Sequence, residues 1–388
     1  MIYMEIAAPR EAPSRTRFIE LARAGGFELA GLAAARPAPE FPFYRQWVAN
    51  GLAGPMRYLT DDRLDTRADP RHLLASAQSV LCLGKLYKTQ DSDPVSGTGK
   101  ISRYAWGAGD YHEILRDGLK RLVAQLKGFW GEFEYLICVD TAPLLERAYA
   151  QAAGLGWIGK NTCLINQPLG SWFFLGEILV SVALPPDAPP PDRCGSCTRC
   201  IDVCPTQALV SNTGADGPAW QLDSRLCIST LTIEQHGPTP EALRAATGEH
   251  LFGCDLCQEV CPWNRRAPAT AEPAFQPLNS CLGLGEMSLI SRSEFRARFR
   301  KTPLWRTRYE GWLRNVATAM GNSGDPRHRP ALERLAVSED AGVAEHARWA
   351  LRRLEETSAR LDSQPAGNAD AKRQLEMPPG DVQSEVPT

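Results

Sequence analysis

Long apolar runs, a secretory signal and a strong net charge are all missing from this 388-residue sequence. No apolar run reaches about 18 residues, the length that spans a bilayer, so we expect no membrane helix. The first residues, MIYMEIAAPREAPSRTRF, lack the continuous apolar stretch of a secretory signal, and we therefore predict a cytoplasmic protein. The net charge of −2 neither requires nor excludes a polyanionic partner, because a basic patch can lie within a neutral total.

Nucleotide-binding motifs are missing as well. The glycine-rich segment at residues 154–161 matches neither a GxGxxG sequence after a strand nor a Walker loop, so we expect no nucleotide site there. Apolar content of 43% and charged content of 23% are ordinary for a globular protein. The length allows two domains with cores of their own and a smaller appendage.

Cysteine, in contrast, is abundant, with 12 residues. In a reducing compartment a dense set of cysteines holds metal more often than it forms disulfides. The first group has the C-x₂-C-x₂-C-x₃-C-P spacing of bacterial ferredoxins, in which the fourth cysteine ligates the neighbouring cluster. A second group ends in the same Cys-Pro pair, and Cys227 stands alone between the two groups. This spacing predicts a ferredoxin-like module with two 4Fe-4S clusters.

Each predicted cluster has four cysteine ligands. One cluster is assigned to Cys194, Cys197, Cys200 and Cys261, and the other to Cys204, Cys227, Cys254 and Cys257. The alternative is a pair of zinc sites, but zinc usually binds separated cysteine pairs, not a closely spaced triple with a proline-flanked fourth. The other four cysteines fit no ligand spacing and are expected to be small buried hydrophobic residues, namely Cys82, Cys138, Cys163 and Cys281.

Composition and periodicity divide the chain into four parts. Residues 14–190 alternate β-rich runs with helical periodicity and predict an α/β domain. Residues 191–265 form the cysteine module, residues 285–356 a HEAT-like helical region, and residues 357–388 a tail too polar to fold. Strands are predicted at residues 79–87, 133–139, 161–166 and 172–182, and helices at residues 15–24, 111–128 and 141–153.

Two aspartates of the α/β domain precede predicted helices. Asp110 suits an N-cap, because its carboxylate can accept from free backbone amides of the helix. Asp140 ends a predicted strand, and it suits either a cap or a catalytic acid, since ligands collect beyond the carboxyl ends of strands in α/β sheets.

Several segments, taken in order, resemble the epoxyqueuosine reductase family. They are T-R-A-D-P at residues 66–70, S-R-Y-A with D-Y-H at 102–112, V-D-T-A-P-L-L-E-R at 139–147, A-G-L-G-W-I-G-K-N at 153–161, G-S-W-F-F-L-G-E at 170–177, R-L-C-I-S-T-L-T at 225–232 and G-C-D-L-C-Q-E-V-C-P-W-N at 253–264. The resemblance covers about residues 15–355. The cysteine segments are shared with many ferredoxin-like proteins, whereas the segments that include Asp140 and the C-P-W-N ending are more specific.

The resemblance implies a function and a set of cofactors. Members of the family reduce epoxyqueuosine to queuosine at the wobble position of tRNA, the last step of queuosine biosynthesis, with electrons relayed through two clusters to base-off cobalamin. It also implies a flavodoxin- or ferredoxin-type electron donor and a monomeric enzyme. The α/β domain would bind the cobalamin. No D-x-H-x-x-G segment supplies a histidine ligand for cobalt, so His112 is expected to be a pocket or structural residue.

The resemblance also assigns roles to individual residues. Asp140 matches the proton donor, and its pKa is expected to be raised by the apolar corrin face. It is also expected to contact the cobalamin, together with Arg67, Ser102, Leu164, Leu175, Ser229, Cys254 and Asp255.

An arginine-rich segment at residues 292–314 is a candidate tRNA surface. It holds eight basic and two acidic side chains, with Trp305, Tyr309 and Trp312 interleaved, which suits phosphate contact and base stacking. Arg298, Arg300 and Lys301 are the predicted tRNA contacts. The alternative is a solvated helical face with buried aromatic residues.

Two other functions stay open at the level of the sequence. One is a reductive dehalogenase-like enzyme that acts on a small molecule, although such a substrate needs neither the arginine-rich segment nor the helical end. The other is a plain ferredoxin-like electron carrier, which would not need the large α/β domain.

Overall fold

A computed structural model describes residues 12–90, 95–214 and 217–363. Among these residues, no helix is both long and apolar enough to cross a membrane. The first region contains, in chain order, α1 (Arg15–Ala24), β1 (Leu29–Ala34), α2 (Phe41–Ala49), β2 (Ser79–Leu86), β3 (Thr98–Ile101), α3 (Tyr111–Trp130), β4 (Tyr135–Cys138), α4 (Glu146–Ala152), β5 (Trp157–Ile158), β6 (Leu164–Ile165) and β7 (Phe173–Val180).

The remaining elements are shorter strands and helices. The second region contains α5 (Arg199–Asp202), β8 (Leu209–Ser211), β9 (Trp220–Leu222), α6 (Ile228–Ile233), α7 (Glu241–Arg244), β10 (His250–Phe252) and α8 (Leu256–Glu259). The third contains β11 (Cys281–Gly283), α9 (Leu284–Leu289), α10 (Arg292–Phe299), α11 (Arg308–Ser323), α12 (Arg329–Leu335) and α13 (Ala341–Ser363).

The main sheet of the first region has the strand order β1-β2-β7-β4, and every neighbouring pair is antiparallel. The expectation that ligands collect beyond the carboxyl ends of the strands applies to parallel sheets. It therefore gives no support to Asp140 as a site residue in this antiparallel sheet. Helices and strands do alternate along this part of the chain, as predicted. The direction in which strands pair is set by the tertiary structure, and β7 pairs antiparallel with β2 and β4. All residues of β2 are buried, since Leu81 and Leu83 face one hydrophobic cluster while Val80 and Cys82 face another.

Helix starts follow from side-chain capping. Ser14 accepts from the amide of Arg17 at the start of α1, which has the predicted bounds. Asp110 accepts from the amide of His112 at 3.0 Å, so its predicted role as the N-cap of α3 is confirmed. Ser291 and Glu294 form a capping box at the start of α10.

Two predicted elements are shorter than expected. The helix predicted at residues 141–153 forms only as α4, because a turn at residues 140–145 with Pro143 delays its start. Of the strand predicted at residues 161–166, Leu164 and Ile165 pair with β5, and Asn166 forms an isolated bridge with Gly170. Neither β1 nor α2 was predicted. In the case of β1 the reason is that the strand is rich in alanine and shows no alternation of apolar and polar residues.

The three regions are joined by a small sheet and by one hydrophobic cluster. A second sheet has the order β10-β3-β11 and so takes one strand from each region. A single hydrophobic cluster likewise joins Trp106, Phe252 and Trp312, of which the last two are fully buried. The segments that the sequence divides into domains are therefore packed as one body around this cluster.

The C-terminal region is helical, as the sequence predicted for residues 285–356. Its helices pack mainly as α11 against α13 and α12 against α13. Helix α13 ends at Ser363, so the first residues assigned to a polar tail at 357–388 are helical instead. The rest of that predicted tail lies outside the described residues.

Candidate active site and cluster ligands

Four cysteines from two distant segments line one cavity of about 240 Å³, namely Cys194, Cys197, Cys200 and Cys261. Lys160 lines the same cavity, and its Nζ donates to the carbonyl oxygens of Gly195 at 2.7 Å and Cys197 at 3.0 Å. The cysteines surround a space and do not meet at one point. Accordingly, no three His, Cys, Asp or Glu side chains of the described chain are grouped tightly enough for a single metal ion. A cluster with one thiolate at each corner suits this arrangement.

The second predicted ligand set also comes together. Burial is the main cause that raises the pKa of Cys254 to about 12, and the nearby charges of Cys227 and Cys204 add to it. Burial and the charge of Cys204 raise the pKa of Cys227, and the Cys163 side chain, followed by burial and the charges of Cys254 and Cys227, raises that of Cys257. Closely spaced thiols that disfavour each other's ionisation are suited to binding iron, whose positive charge would stabilise the thiolates.

The remaining cysteines divide into two kinds. Cys82 and Cys138 are fully buried in the sheet, as predicted for small hydrophobic residues. The prediction is wrong for Cys163 and Cys281, which are only partly buried. The thiol of Cys163 forms a hydrogen bond with Cys257, so it lies beside the second predicted ligand set.

Asp140 lies in a strained turn directly after β4. Its φ of 55° is in the left-handed region, which costs a non-glycine residue roughly 1 kcal/mol or more. Its amide donates to Oε1 of Glu146, the first residue of α4, at 2.6 Å. The Asp140 side chain is 43% exposed. An exposed carboxylate on a strained turn is typical of a functional position.

His112 connects Asp140 to the N-cap of α3. Its Nδ1 lies 2.6 Å from Oδ1 of Asp110, and its Nε2 lies 3.0 Å from Oδ2 of Asp140. Burial lowers the pKa of His112, but the two carboxylates outweigh it and raise that pKa to about 9. His112 is therefore a cation at neutral pH, with a carboxylate on each ring nitrogen.

The protein neighbours of Asp140 shift its pKa downward, in the direction opposite to the rise expected from a corrin face. Burial acts to raise the pKa of this carboxyl, but the hydrogen bond and charge of His112, together with the charge of Arg306, hold it below its usual range. The sequence could not show that two cations face Asp140, because both come from distant parts of the chain.

Arg306 brings the C-terminal region to Asp140. It lies in the 3-10 turn Pro303–Thr307, and its Nη2 forms an ion pair with Oε1 of Glu234 at 2.8 Å. Its Nη1 lies 3.8 Å from Oδ2 of Asp140, and its guanidinium lies 5.3 Å from the ring centroid of Tyr58. Residues of all three regions thus meet at Asp140.

Tyr58, Glu234, Glu146 and Glu177 lie at or near this site and were not predicted as site residues. Glu146 and Glu177 lie within two of the family-like segments, which was the available signal for them. Arg306 belongs to the arginine-rich segment, but the sequence indicated an RNA surface and not a contact with Asp140. Tyr58 and Glu234 belong to no motif that would identify them.

Of the predicted cobalamin contacts, Ser102 and Asp255 are brought together. Oγ of Ser102 donates to Oδ1 of Asp255 at 2.5 Å, and the amide of Arg103 donates to Oδ2 at 2.7 Å. Asp255 directly follows Cys254, so this buried pair adjoins the second ligand set. Ser229 lies two residues after Cys227 and acts to lower the pKa of that thiol, so it also adjoins the second ligand set.

The other predicted contacts lie on the first region. Leu164 is buried in the hydrophobic cluster against which Leu175 packs, so both belong to one apolar surface. Arg67 is buried and donates to the carbonyl oxygens of Arg63 at 3.0 Å and Tyr58 at 2.9 Å. Its guanidinium is therefore already bonded within its own segment.

These residues fit a corrin bound without a histidine ligand. Both ring nitrogens of His112, the histidine at Asp140, are hydrogen-bonded to carboxylates, so neither is available to cobalt. Apolar leucines suit the face of a corrin, whereas hydroxyl and carboxyl groups suit its polar periphery.

The arginine-rich segment serves several purposes. Arg314 is buried and donates to the carbonyl oxygens of Leu231, Gln235 and Gly237, so it holds the second and third regions together. Trp312 is fully buried, so its predicted use in base stacking is wrong. Arg298, Arg300 and Lys301 are exposed, although Arg298 forms an ion pair with Glu286 at 2.6 Å.

Comparison with known proteins agrees with this geometry. Residues 193–264 match the family model of a 4Fe-4S double cluster binding domain, and residues 67–141 match that of epoxyqueuosine reductase QueG, DUF1730. The epoxyqueuosine reductase of Xanthomonas campestris is 40% identical over 355 residues, which are 89% of this chain and 98% of that protein. That of Pseudomonas aeruginosa is 41% identical over 343 residues, 86% of this chain and 92% of that protein.

Solved structures give the same result. An epoxyqueuosine reductase crystallised with an epoxyqueuosine-modified tRNA stem loop has a TM-score of 0.79 and 28% identity, with 93% of this chain and 96% of that chain covered. A Bacillus subtilis epoxyqueuosine reductase, with its catalytic aspartate loop swung out of the active site, has a TM-score of 0.78 and 27% identity over 93% of this chain and 96% of that chain. This chain belongs to the epoxyqueuosine reductase family.

Proposed function

We propose that the protein reduces epoxyqueuosine in tRNA to queuosine, at the wobble position and as the last step of queuosine biosynthesis. The observation that carries this proposal is the 40% identity that extends over 98% of an epoxyqueuosine reductase. A similar protein has been crystallised with an epoxyqueuosine-modified tRNA stem loop. Membership of the family favours this reaction over dehalogenation of a small molecule and over plain electron transfer.

The double-cluster domain indicates two 4Fe-4S clusters, which can pass electrons one at a time. The proposed ligands are the two cysteine sets described above, one with Cys261 and the other with Cys227. Arg67, Ser102, Leu164, Leu175, Ser229, Cys254, Asp255 and Asp140 would hold base-off cobalamin. When bound, this cofactor supplies a low-valent cobalt as the reductant.

The residues of this chain would supply protons and orientation. Conversion of an epoxide to an alkene and water consumes two electrons and two protons, and the poor leaving group makes protonation necessary. Asp140 and His112 share a hydrogen bond of 3.0 Å and hold a proton between them at neutral pH. Asp140 is the more exposed of the two, so it is the proposed proton donor, with His112 as the group that supplies it.

The tRNA would lie across the C-terminal region. Its HEAT-like helices carry the exposed cations Arg298, Arg300 and Lys301, which are the proposed phosphate contacts. Arg306, at Asp140, would meet the RNA or its modified base at the entrance of the site. The enzyme is proposed to act as a monomer with a flavodoxin- or ferredoxin-type electron donor.

Anaerobic reconstitution with iron, sulfide and cobalamin, followed by incubation with reductant and epoxyqueuosine-containing tRNA, tests the function. We expect the appearance of queuosine in digested tRNA, together with corrin absorbance in the protein. Failure to form queuosine with full iron and corrin content would contradict the proposed reaction. Tight corrin binding without tRNA binding would favour a small-molecule substrate.

A further inference from the structure

A carboxyl group with no hydrogen-bond donor lies inside the main sheet. Glu177, on β7, is 0% exposed, and its partners on the adjacent strands are Cys82 and Cys138. Among the described residues, no nitrogen or hydroxyl group donates to either of its carboxyl oxygens. A carboxylate in such a place is strongly disfavoured, so the group instead retains a proton.

The titratable group that acts most strongly on Glu177 is a second carboxyl group, that of Glu146 on α4, a helix that packs against β7. Two adjacent carboxyl groups can hydrogen-bond to each other only if at least one of them is protonated. Oε1 of Glu146 also accepts from the amide of Asp140 at 2.6 Å. Glu177, Glu146 and the Asp140 amide therefore follow one another from the interior of the sheet to the turn that carries Asp140.

We propose that Glu146 and Glu177 keep at least one shared proton at neutral pH, and that this protonated pair holds Asp140 in its left-handed conformation. The pair acts as a positioning device, since Glu177 is buried and has no access to substrate. This inference rests on the proposed role of Asp140 as the proton donor.

The groups that face the pair favour its protonation. Burial raises the pKa of Glu177 well above its usual range, and the charge of Glu146 adds to this. Burial, followed by the charge of Asp140, raises the pKa of Glu146 to about 8, while the Asp140 amide, Glu177 and Arg147 oppose the rise. Because the two carboxyl groups are coupled, the last proton leaves the pair as a whole.

The other titratable neighbours are neutral at neutral pH. Burial raises the pKa values of the thiols of Cys82 and Cys138. Burial, followed by the charge of Asp140, likewise raises the pKa of the Tyr111 hydroxyl. Arg147 is exposed and is the cation that acts on Glu146, so little positive charge would balance two carboxylates here.

Loss of the shared proton at alkaline pH would place two negative charges side by side beneath Asp140. Their repulsion would displace Glu146 and release the Asp140 amide, so the strained turn would relax. Turns of this kind can move in the family, since the catalytic aspartate loop of the Bacillus subtilis relative is swung out of the active site in one crystal structure.

The test compares isosteric and apolar variants of the full enzyme with both cofactors bound. In Glu177→Gln, the amide can donate to Glu146 but cannot lose a proton. In Glu177→Leu, the donor is absent. Glu132→Gln, which changes an exposed carboxylate of the same region, is the matched control. Cluster and corrin absorbance show that each variant is folded and loaded.

We expect kcat of the wild type to decrease at alkaline pH with the loss of two protons, one from the carboxyl pair and one from His112. In Glu177→Gln the decrease should follow the loss of a single proton, and kcat at neutral pH should stay near that of the wild type. Glu177→Leu should lose roughly 10- to 100-fold in kcat with little change in KM, because a misplaced acid affects the chemical step. Glu132→Gln should match the wild type throughout.

Infrared spectroscopy tests the shared proton without reference to activity. We expect a C=O stretch of a protonated carboxyl that shifts in D₂O, persists at neutral pH, disappears at alkaline pH and is missing from the double variant Glu146→Gln/Glu177→Gln. Absence of this band at neutral pH would overturn the inference. So would a pH profile of kcat for Glu177→Gln that decreases at alkaline pH in the same way as that of the wild type. If Asp140→Asn retains full activity, the proton-donor role fails instead, whatever the infrared band shows.

Discussion

At the scale of single residues, Asp140 is the position on which the proposed chemistry depends. The structure holds its carboxyl group between two cations, His112 and Arg306, and its backbone against Glu146. A carboxylate in this environment can accept a proton from His112 and pass it on, which is the proposed role and differs from the isolated, protonated acid that the sequence suggested.

The variant Asp140→Asn should lose most turnover and keep its cofactors. An amide retains the shape of the side chain and a hydrogen bond to His112 but cannot donate a proton to the epoxide oxygen. We expect a decrease of roughly 100-fold or more in kcat, measured as queuosine formed per enzyme. Activity within twofold of the wild type would leave Asp140 with a structural role only, and loss of corrin absorbance would make it a binding residue.

His112 should titrate near pH 9 because Asp110 and Asp140 stabilise its cation. A folded-state pKa above the usual 6.5 means that His112 contributes stability below about pH 6.5, and that this contribution disappears as pH rises through about 9. The change Asp110→Asn should lower the pKa, as followed by NMR of the histidine ring with His112→Gln for assignment. An unchanged pKa in Asp110→Asn would show that Asp110 serves only as a helix cap.

At the scale of elements, the arginine-rich segment is divided between core, active site and surface. Its buried members, Arg314 and Trp312, join the regions, and Arg306 reaches Asp140. The other basic side chains of the segment are exposed, and those near the end of α10 are the proposed contacts with a phosphate backbone.

Replacement of Arg298, Arg300 and Lys301 by alanine should weaken tRNA binding by about 1 kcal/mol or more in total. The salt dependence of affinity should also become shallower, since fewer counterions are released from the RNA. Affinity at two salt concentrations for wild type and triple variant measures both effects, with Lys120→Ala/Arg121→Ala on α3 as the control. Equal affinities and slopes would mean that this end of α10 is only a solvated face.

At the scale of the whole molecule, the cluster module is not independent of its neighbours. It contributes one strand to the sheet β10-β3-β11, and Phe252 to the shared core. The clusters, Asp140 and the proposed tRNA surface are thereby fixed relative to one another, which electron transfer to a bound substrate requires.

Metal analysis of anaerobically purified protein should find about eight iron and eight acid-labile sulfide per chain, because two complete sets of four cysteines are present. The change Cys261→Ala should reduce iron toward about four if the first cluster is lost and the second remains. Stoichiometric zinc, or about four iron in the wild type, would contradict the assignment of two clusters.

The sequence alone determined the features that depend on local spacing. Two cysteine groups with their prolines predict the double-cluster module, and Asp110 predicts the start of its helix. These features are visible because the ligands of a cluster and the cap of a helix are set by residues a few positions apart.

Only the tertiary structure decided which distant groups meet. The antiparallel pairing of β7 with β2 and β4 places Glu177 inside the sheet, and the packing of α4 sets Glu146 against it. The turn after α10 brings Arg306 to Asp140, and α3 brings His112. The charge state of Asp140 depends on these neighbours, and a pKa set by contacts across more than a hundred residues cannot be predicted from local sequence.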